Sequence, residues 1–365
     1  MSNLVSATVG RSTYGTLDRL LSSVGGLQEQ RVGLQQQVST GKAAESYAGL
    51  GAGSARVLDL TAASRRADAY TQAITHAQGK AAVIQDALGG LGKLVNDIVA
   101  KTLDLTDSSP AATVEAVSLQ AKQALQQIGS LLNTTYAGDY VFAGADTANA
   151  PVPGDVTSSG LFAQIGAQVA ALATVPTTSA VGVIIARTVA IASDTSAGTT
   201  VFSSYLAGAG TAAPLGEVQV GDAERVSLDL PANRNAGAVS DPAINGTGSA
   251  VSDILRSLAV VANATPAIAA NPDFKTLMRD AARTLTSAGQ TLAVEAGRIG
   301  LTQNTLTAAS ERHASVKLVL SKQLSGLTDV DMASAISRLQ AVTSQLEASY
   351  NVLSMARQLN LASYL

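Results

Sequence analysis

The sequence contains no cysteine and no tryptophan, and only two of its 365 residues are histidines. The absence of cysteine excludes disulfide bonds, thiolate catalysis and cysteine-ligated metals. Aromatic residues make up 3% of the chain although hydrophobic residues make up 46%, so the apolar content consists mostly of Ala, Val and Leu. Small apolar residues of this kind favour long helices that pack closely, and they suit a deep, aromatic-lined pocket less well.

Charge is nearly balanced and is spread along the chain. The formal net charge is -3, and no dense run of Lys or Arg offers the positive surface that a nucleic-acid backbone requires. The longest apolar stretch, 181–192, is short and contains Arg187, so we expect no membrane insertion. The first residues lack the basic start and apolar run of a signal peptide. These features leave two expectations open: a cytosolic protein, or a chain exported unfolded without a cleaved signal.

Residue patterns typical of catalysis are missing from the sequence. His76 and His313 both fall in predicted long helices, and the chain has neither a zinc-binding HExxH motif nor a GxSxG nucleophile turn. The glycine-rich stretch 49–53 lacks the preceding strand and the third glycine of a dinucleotide-binding loop. We expect no catalytic residue, no cofactor and no metal site.

The prolines divide the chain into three parts. All nine lie between Pro110 and Pro272, and since proline breaks helix interiors, both ends are free to form long helices. Gly41 follows the first of these helices and suits its C-terminal cap. Hydrophobic periodicity and turn residues predict helices at 13–39, 54–106, 110–133, from 248 onward, at 273–324, and from 329 nearly to the end.

Both terminal helices carry an apolar stripe with alternating spacings of three and four residues, which is typical of a helix packed along a partner. Arg31 occupies the one polar place in the N-terminal stripe. Two helices can cover only part of each other's apolar surface, so we expect neighbouring subunits to cover the rest. The residues predicted to pack between subunits are Leu17, Leu20, Val24, Leu27, Leu34, Val38, Leu339, Val342, Leu346 and Leu353.

The middle segment, 139–250, differs from the two ends in composition. It holds six of the nine prolines and no lysine, and it carries nine acids against three arginines. Short β-prone runs occur at 140–142, 181–185, 200–202, 217–220 and 226–230. We interpret this segment as a small β-rich domain inserted between helices, with a disordered acidic insert as the alternative.

The predicted fold is therefore mainly α. A long antiparallel helical bundle or coiled coil is formed from both termini, and it carries an inserted small β-rich domain. The predicted domains are an N-terminal inner coiled-coil segment (1–42), a first helical core part (43–138), an outer β-rich domain (139–250), a second helical core part (251–327) and a C-terminal inner coiled-coil segment (328–365).

Three segments resemble the flagellin superfamily. The stretch 34–42, LQQQVSTGK, is similar to the end of the N-terminal helix in that family, and 339–365 is similar to its C-terminal helix. The internal stretch 133–144, NTTYAGDYVFAG, most resembles the hook-filament junction proteins of the superfamily, the hook-associated protein 3 group. One departure is 43–53, where small residues stand in place of the polar, acidic segment usual in the family.

The resemblance implies a structural subunit that joins the hook-associated ring of the bacterial flagellum to its filament. It implies an extracellular location reached through the flagellar secretion channel. The implied partners are further copies of the chain, hook-associated protein 1 on the hook side, flagellin on the filament side and an export chaperone before secretion. Filament flagellin itself is the alternative within the family. A secreted enzyme or binding protein working through 139–250, and a cytosolic coiled-coil scaffold, are the alternatives outside it.

Overall fold

The computed structural model describes residues 3–362 except 109, 175–179 and 242–243, with side chains from 18 to 355 outside these gaps and residue 180. The chain divides into two compact units. Unit 1 comprises Met1–Asp68 and Ala314–Leu365, and unit 2 comprises Ala69–His313. Long helices from both ends of the sequence dominate the fold, with two small antiparallel sheets, so the predicted mainly α class is confirmed.

The helices follow the chain in the order α1 (Asn3–Thr40), α2 (Ser54–Asp107), α3 (Ala111–Leu132), α4 (Gly160–Ala171), α5 (Ala180–Ser193), α6 (Ser204–Ala207), α7 (Ala250–Ala262), α8 (Pro266–Ala269), α9 (Phe274–Thr328) and α10 (Met332–Ala362). Short 3-10 helices occur at Tyr47–Gly53, Val156–Ser158 and Ala209–Thr211. The long predicted helices are confirmed, and most of their ends agree to within a few residues; α1 begins about ten residues earlier than expected. The predicted domain boundaries remain predictions.

The strands form two separate hairpins. β1 (Thr135–Tyr136) pairs with β2 (Asp139–Tyr140), and β3 (Glu217–Gln219) pairs with β4 (Arg225–Ser227). The first hairpin turns through Ala137 and Gly138, both with positive φ, as a two-residue hairpin turn that matches strand twist requires. Two of the predicted β-prone runs, 217–220 and 226–230, therefore contain strand.

The run 181–185 is helical, contrary to the expectation of a strand. Val181, Ile184, Ile185 and Thr188 are buried, and Ala192 continues the same face one turn later. Spacings of three and four residues place these side chains on one side of α5. The β-branched composition suggested a strand, but the period of burial decides for a helix. The run 200–202 forms no strand either.

The core of unit 2 is a single cluster in which α2, α3, α7 and α9 pack together. On α9, Leu285, Leu292, Ile299 and Leu306 are all buried, so the seven-residue repeat marks a lengthwise packing seam as expected. His313, which continues the repeat, is half-buried, and its Nε2 lies 2.8 Å from the carbonyl oxygen of Val220.

A buried ionic cluster ties α5, α7 and α9 together. Arg256 on α7 is 1% exposed and donates hydrogen bonds to Asp280, Thr188 and Thr284. Burial raises the pKa of Asp280 in spite of the neighbouring Arg256, and burial likewise raises the pKa of Asp253. Charges taken out of water need partners on all sides, so this cluster fixes how the three helices meet.

A second polar anchor fastens the 236–238 loop to α9. The buried carboxylate of Glu295 accepts hydrogen bonds from the backbone N–H groups of Ala236, Gly237 and Ala238 at 2.8, 2.7 and 2.7 Å. Burial raises the pKa of Glu295, but these N–H groups and Arg298 outweigh it, so the net shift is downward. The loop is held to the helix by a fully satisfied charge.

Candidate assembly surface

Within unit 1, α1 and α10 pack side by side and run antiparallel. Gly41 at the end of α1 is bonded to Val330 just before α10, whereas Gln28 reaches Tyr350 farther along α10. As residue numbers fall along α1 they rise along α10. The two ends of the sequence therefore form one helical pair.

The pair is held by four buried apolar residues, which we call the terminal seam. Leu27 and Leu339 are partly buried against it. The seam consists of Val24, Leu34, Val342 and Leu346. Burying each such side chain stabilises the pair by roughly 1.5–3 kcal/mol.

The terminal seam brings together six of the ten residues predicted to pack between subunits. Leu20, Val38 and Leu353 lie outside the seam cluster and are half-buried. The side chain of Leu17 lies outside the described residues. Contact of these ten residues with other subunits remains a prediction, since six of them already meet across α1 and α10 within one chain.

Apolar side chains also lie on the outer faces of both terminal helices. Leu21 and Val32 on α1 are about half exposed, as are Val352 and, more strongly, Met355 on α10. Sequence reasoning followed the heptad stripes and passed over these residues, although their position off the stripe was visible. A helical pair that leaves such a surface in water has a reason to pack against further helices.

Arg31 lies in the apolar stripe of α1 and is half-buried. Its Nε is buried and has no hydrogen-bond partner among the described residues. The prediction that this arginine fixes register or partner choice remains open, and the unpaired atom marks it as a position where a neighbour can add a bond.

The links beside the two terminal helices are joined by what we call the clasp, formed by residues 41–43 and 328–330. Ala43 N–H donates to the Thr328 carbonyl at 2.7 Å, and Val330 N–H donates to the Gly41 carbonyl at 2.9 Å. Gly41 has φ +69°, which glycine adopts at little cost and which confirms it as the cap of α1. The ammonium group of Lys42 lies 2.5 Å from Asp329.

The clasp is expected to resist acid. Hydrogen bonds from Lys42, Ser325 and Thr328 lower the pKa of Asp329 to about 2, from an ordinary value of 3.8. Because the folded pKa is depressed, the carboxylate favours the clasp above 3.8, and this contribution is lost as the pH falls through about 2. In a Lys42→Met variant the titration midpoint of Asp329 should move up toward 3.8, which NMR of the side-chain carboxyl measures directly.

A matched control for this titration is Lys322→Met, which removes the same charge at an exposed position outside the clasp. The Asp329 midpoint should stay near its starting value in that variant. Equal shifts in the two variants would mean that net charge, and not the clasp, sets the pKa.

Candidate chemistry elsewhere reduces to structural contacts. The ring of His76 packs edge-on against Tyr136 at 5.1 Å between centroids, and the ring of His313 lies 5.2 Å from Tyr70. Within the described residues, no group of three metal-ligating side chains comes together. No helix in the described part of the chain is both long and apolar enough to cross a bilayer.

The middle segment has an open cleft of about 570 Å³ between 153–160 and 195–208. Its carboxylate, Asp155, accepts hydrogen bonds from the N–H and the hydroxyl of Thr157 at 2.9 and 2.8 Å. The backbone N–H first and then the hydroxyl of Thr157 lower the pKa of Asp155. This carboxylate caps a turn, and the cleft offers no convergent set of reactive groups.

Comparison with known proteins places these features in context. The sequence model of the bacterial flagellin N-terminal helical region matches residues 12–147, and that of the bacterial flagellin C-terminal helical region matches 283–365. Among solved structures, the chain is similar to a Vibrio parahaemolyticus protein described as a flagellar hook-associated protein, with a TM-score of 0.52 and 14% identity. That similarity covers 76% of this chain and 97% of the other. No curated protein sequence matches the chain.

Proposed function

The chain belongs to the flagellin superfamily, and we propose that within it this protein is the subunit that joins the hook-associated ring to the flagellar filament. Proteins of this family are structural components of the flagellum and assemble with one another rather than catalyse reactions. The proposed subunit works by packing its terminal helices against those of its neighbours. Residues along the terminal seam and on the outer faces of α1 and α10 supply the contact surface.

The observation that carries the packing role is the incomplete burial of α1 and α10. Their shared seam is covered, but Leu21, Val32, Val352 and Met355 remain exposed. In water, a helical pair with apolar side chains on both outer faces is stabilised by further helices that cover them. Copies of the same pair provide such helices in every neighbouring subunit.

The junction role is supported by the hairpin of β1 and β2. It lies in the stretch that most resembles junction proteins, and the structure gives it a defined shape. The Asn133 side chain bonds both the N–H and the carbonyl of Val152, at 3.0 and 2.6 Å. The fold similarity to the Vibrio protein described as hook-associated points the same way. Filament flagellin shares the terminal helices and is the second candidate.

Deleting the gene in its source bacterium tests the choice between these two roles. Without a junction subunit, we expect hooks without filaments, and flagellin monomers released into the medium. Electron microscopy of the cells and gels of the culture medium provide the readout, and reintroducing the intact gene should restore filaments. If this chain is instead the bulk protein of sheared wild-type filaments, the junction role is wrong and the filament role is right.

A further inference from the structure

Helix α9 carries an exposed apolar ridge in unit 2, away from the terminal helices. Val294 is 60% exposed and Leu301 is 70% exposed. They lie two helical turns apart on one side of α9, with Gly297 between them. We call Val294 and Leu301 the α9 ridge. The exposed residues of α9 around the ridge, from Gln290 to Ala308, carry no charge, so the ridge can leave water without burying an ion.

The same unit contains a groove between α2 and α9. It has a volume of about 470 Å³. Its floor is made of residues with little or no side chain, which we call the glycine groove: Gly89, Gly92, Gly289, Ala293 and Ala296. A Cβ atom placed on Gly89 or Gly92 would meet nothing within 4 Å. The chain's own side chains therefore leave the groove unfilled.

Ridge and groove match in length and in chemistry. The ridge extends from 294 to 301 and the groove along α9 from 289 to 296, so each covers about two turns, or roughly 10 Å. Side-chain ridges of one helix pack into the grooves beside another. The centre of both surfaces is uncharged, while Asp86 and Lys93, of opposite sign, lie on the α2 side of the groove.

We propose that the α9 ridge of one subunit packs into the glycine groove of a second copy of this chain. Both surfaces lie on one molecule but at different places, so the contact is head-to-tail and continues from copy to copy. Such a contact suits a chain whose family self-assembles. The inference rests on the proposed function in requiring assembly, and it adds a contact independent of the terminal helices.

Engineered cysteines test the contact, because the chain has none of its own. Gly289 packs against Val95 and Gly300 against Gln85, so Gly92 lies near residue 292 of α9, roughly 13 Å along the helix from Leu301. A disulfide between Gly92→Cys and Leu301→Cys within one chain is therefore excluded by distance. Mild oxidation of the concentrated double variant should give a ladder of cross-linked multimers on a non-reducing gel.

The single variants define the geometry. Gly92→Cys alone and Leu301→Cys alone should give little cross-linking. Efficient dimers from Leu301→Cys alone would show ridge-to-ridge packing and overturn the head-to-tail contact. An absence of ladders from the double variant would overturn it as well.

Assembly measurements provide the second readout. Leu301→Ser removes the larger ridge side chain, and Gly89→Leu fills the groove at a position open in the isolated subunit. Each should raise the critical concentration for assembly roughly tenfold or more, since about one leucine contact is lost per subunit. Leu119→Ser, at another exposed leucine of unit 2 (58%), is the matched control and should leave assembly unchanged.

The outcomes separate this inference from the proposed function. If wild-type protein polymerises but the ladders are absent and Leu301→Ser assembles normally, the ridge contact is wrong and the terminal-helix packing stands. If ladders form although the deletion strain still builds normal filaments, the contact stands and the junction role is wrong.

Discussion

Replacing Leu346 with aspartate is expected to abolish assembly by melting the α1–α10 pair. Leu346 is 2% exposed and lies in the terminal seam with Val24, Leu34 and Val342. Truncating such a leucine to alanine costs about 2–5 kcal/mol, and a buried carboxylate adds a desolvation cost. The seam contains only four fully buried residues, so we expect the pair to lose its structure.

Circular dichroism and limited proteolysis measure this effect. Helical signal should fall by an amount corresponding to α1 and α10, and cleavage should appear in both, while unit 2 retains its protease resistance. Sedimentation should show only monomers. Normal polymers of Leu346→Asp would mean that the seam is not needed for assembly.

The matched control is Val352→Asp, at a half-exposed position on the same helix. A charge there stays in water in the monomer, so the helical signal should remain that of the wild type. If neighbours cover the outer face of α10, this variant nevertheless fails to polymerise. Normal assembly of Val352→Asp would remove the outer face from the proposed contact surface.

Replacing Arg256 with methionine is expected to destabilise unit 2 by roughly 3–5 kcal/mol, the usual cost of removing one partner from a buried ion pair. Methionine has a similar length and fills most of the space, so the loss comes mainly from the uncompensated Asp280. The free energy of unfolding in urea, followed by circular dichroism, measures the effect. A loss below about 1 kcal/mol would show that the cluster contributes little to stability.

The pH dependence identifies the cause of this loss. Burial raises the pKa of Asp280 above 3.8, so its contribution to stability is full below that value and is lost as the pH rises through the folded pKa. Removing Arg256 removes an interaction that lowers this pKa, so the variant should recover part of its stability as the medium is acidified from neutral. The double variant Arg256→Met/Asp280→Leu should recover stability at neutral pH. A defect that is independent of pH would indicate a packing fault.

The sequence was sufficient to predict the long helices because their signals are local. The absence of proline from both ends, the cap at Gly41 and the repeat from Leu285 to Leu306 each act over a few turns. The terminal seam followed from the same periodicity. Its closure within one chain did not, because a stripe states that a partner exists and not which helix it is.

Contacts between distant residues could not be predicted in this way. Arg256, Asp280 and Thr188 are separated by up to 92 positions, from 188 to 280, and meet only after three helices have packed. The three N–H groups that hold Glu295 belong to a loop without a distinctive sequence. The α9 ridge was hidden by the stronger buried stripe on the same helix. Helix α5 was mistaken for a strand because β-branched composition was given more weight than spacing.

The clasp also constrains the order in which the chain folds. Lys42 and Asp329 are 287 positions apart, and joining them across an unfolded chain costs the entropy of closing a very long loop. Folding of unit 2 first brings the rings of Tyr70 and His313 to within 5.2 Å, after which only short arms remain to be joined. The two extremities of the polypeptide are therefore the last to find each other, and a newly delivered subunit can have a finished interior while its ends are still searching for partners.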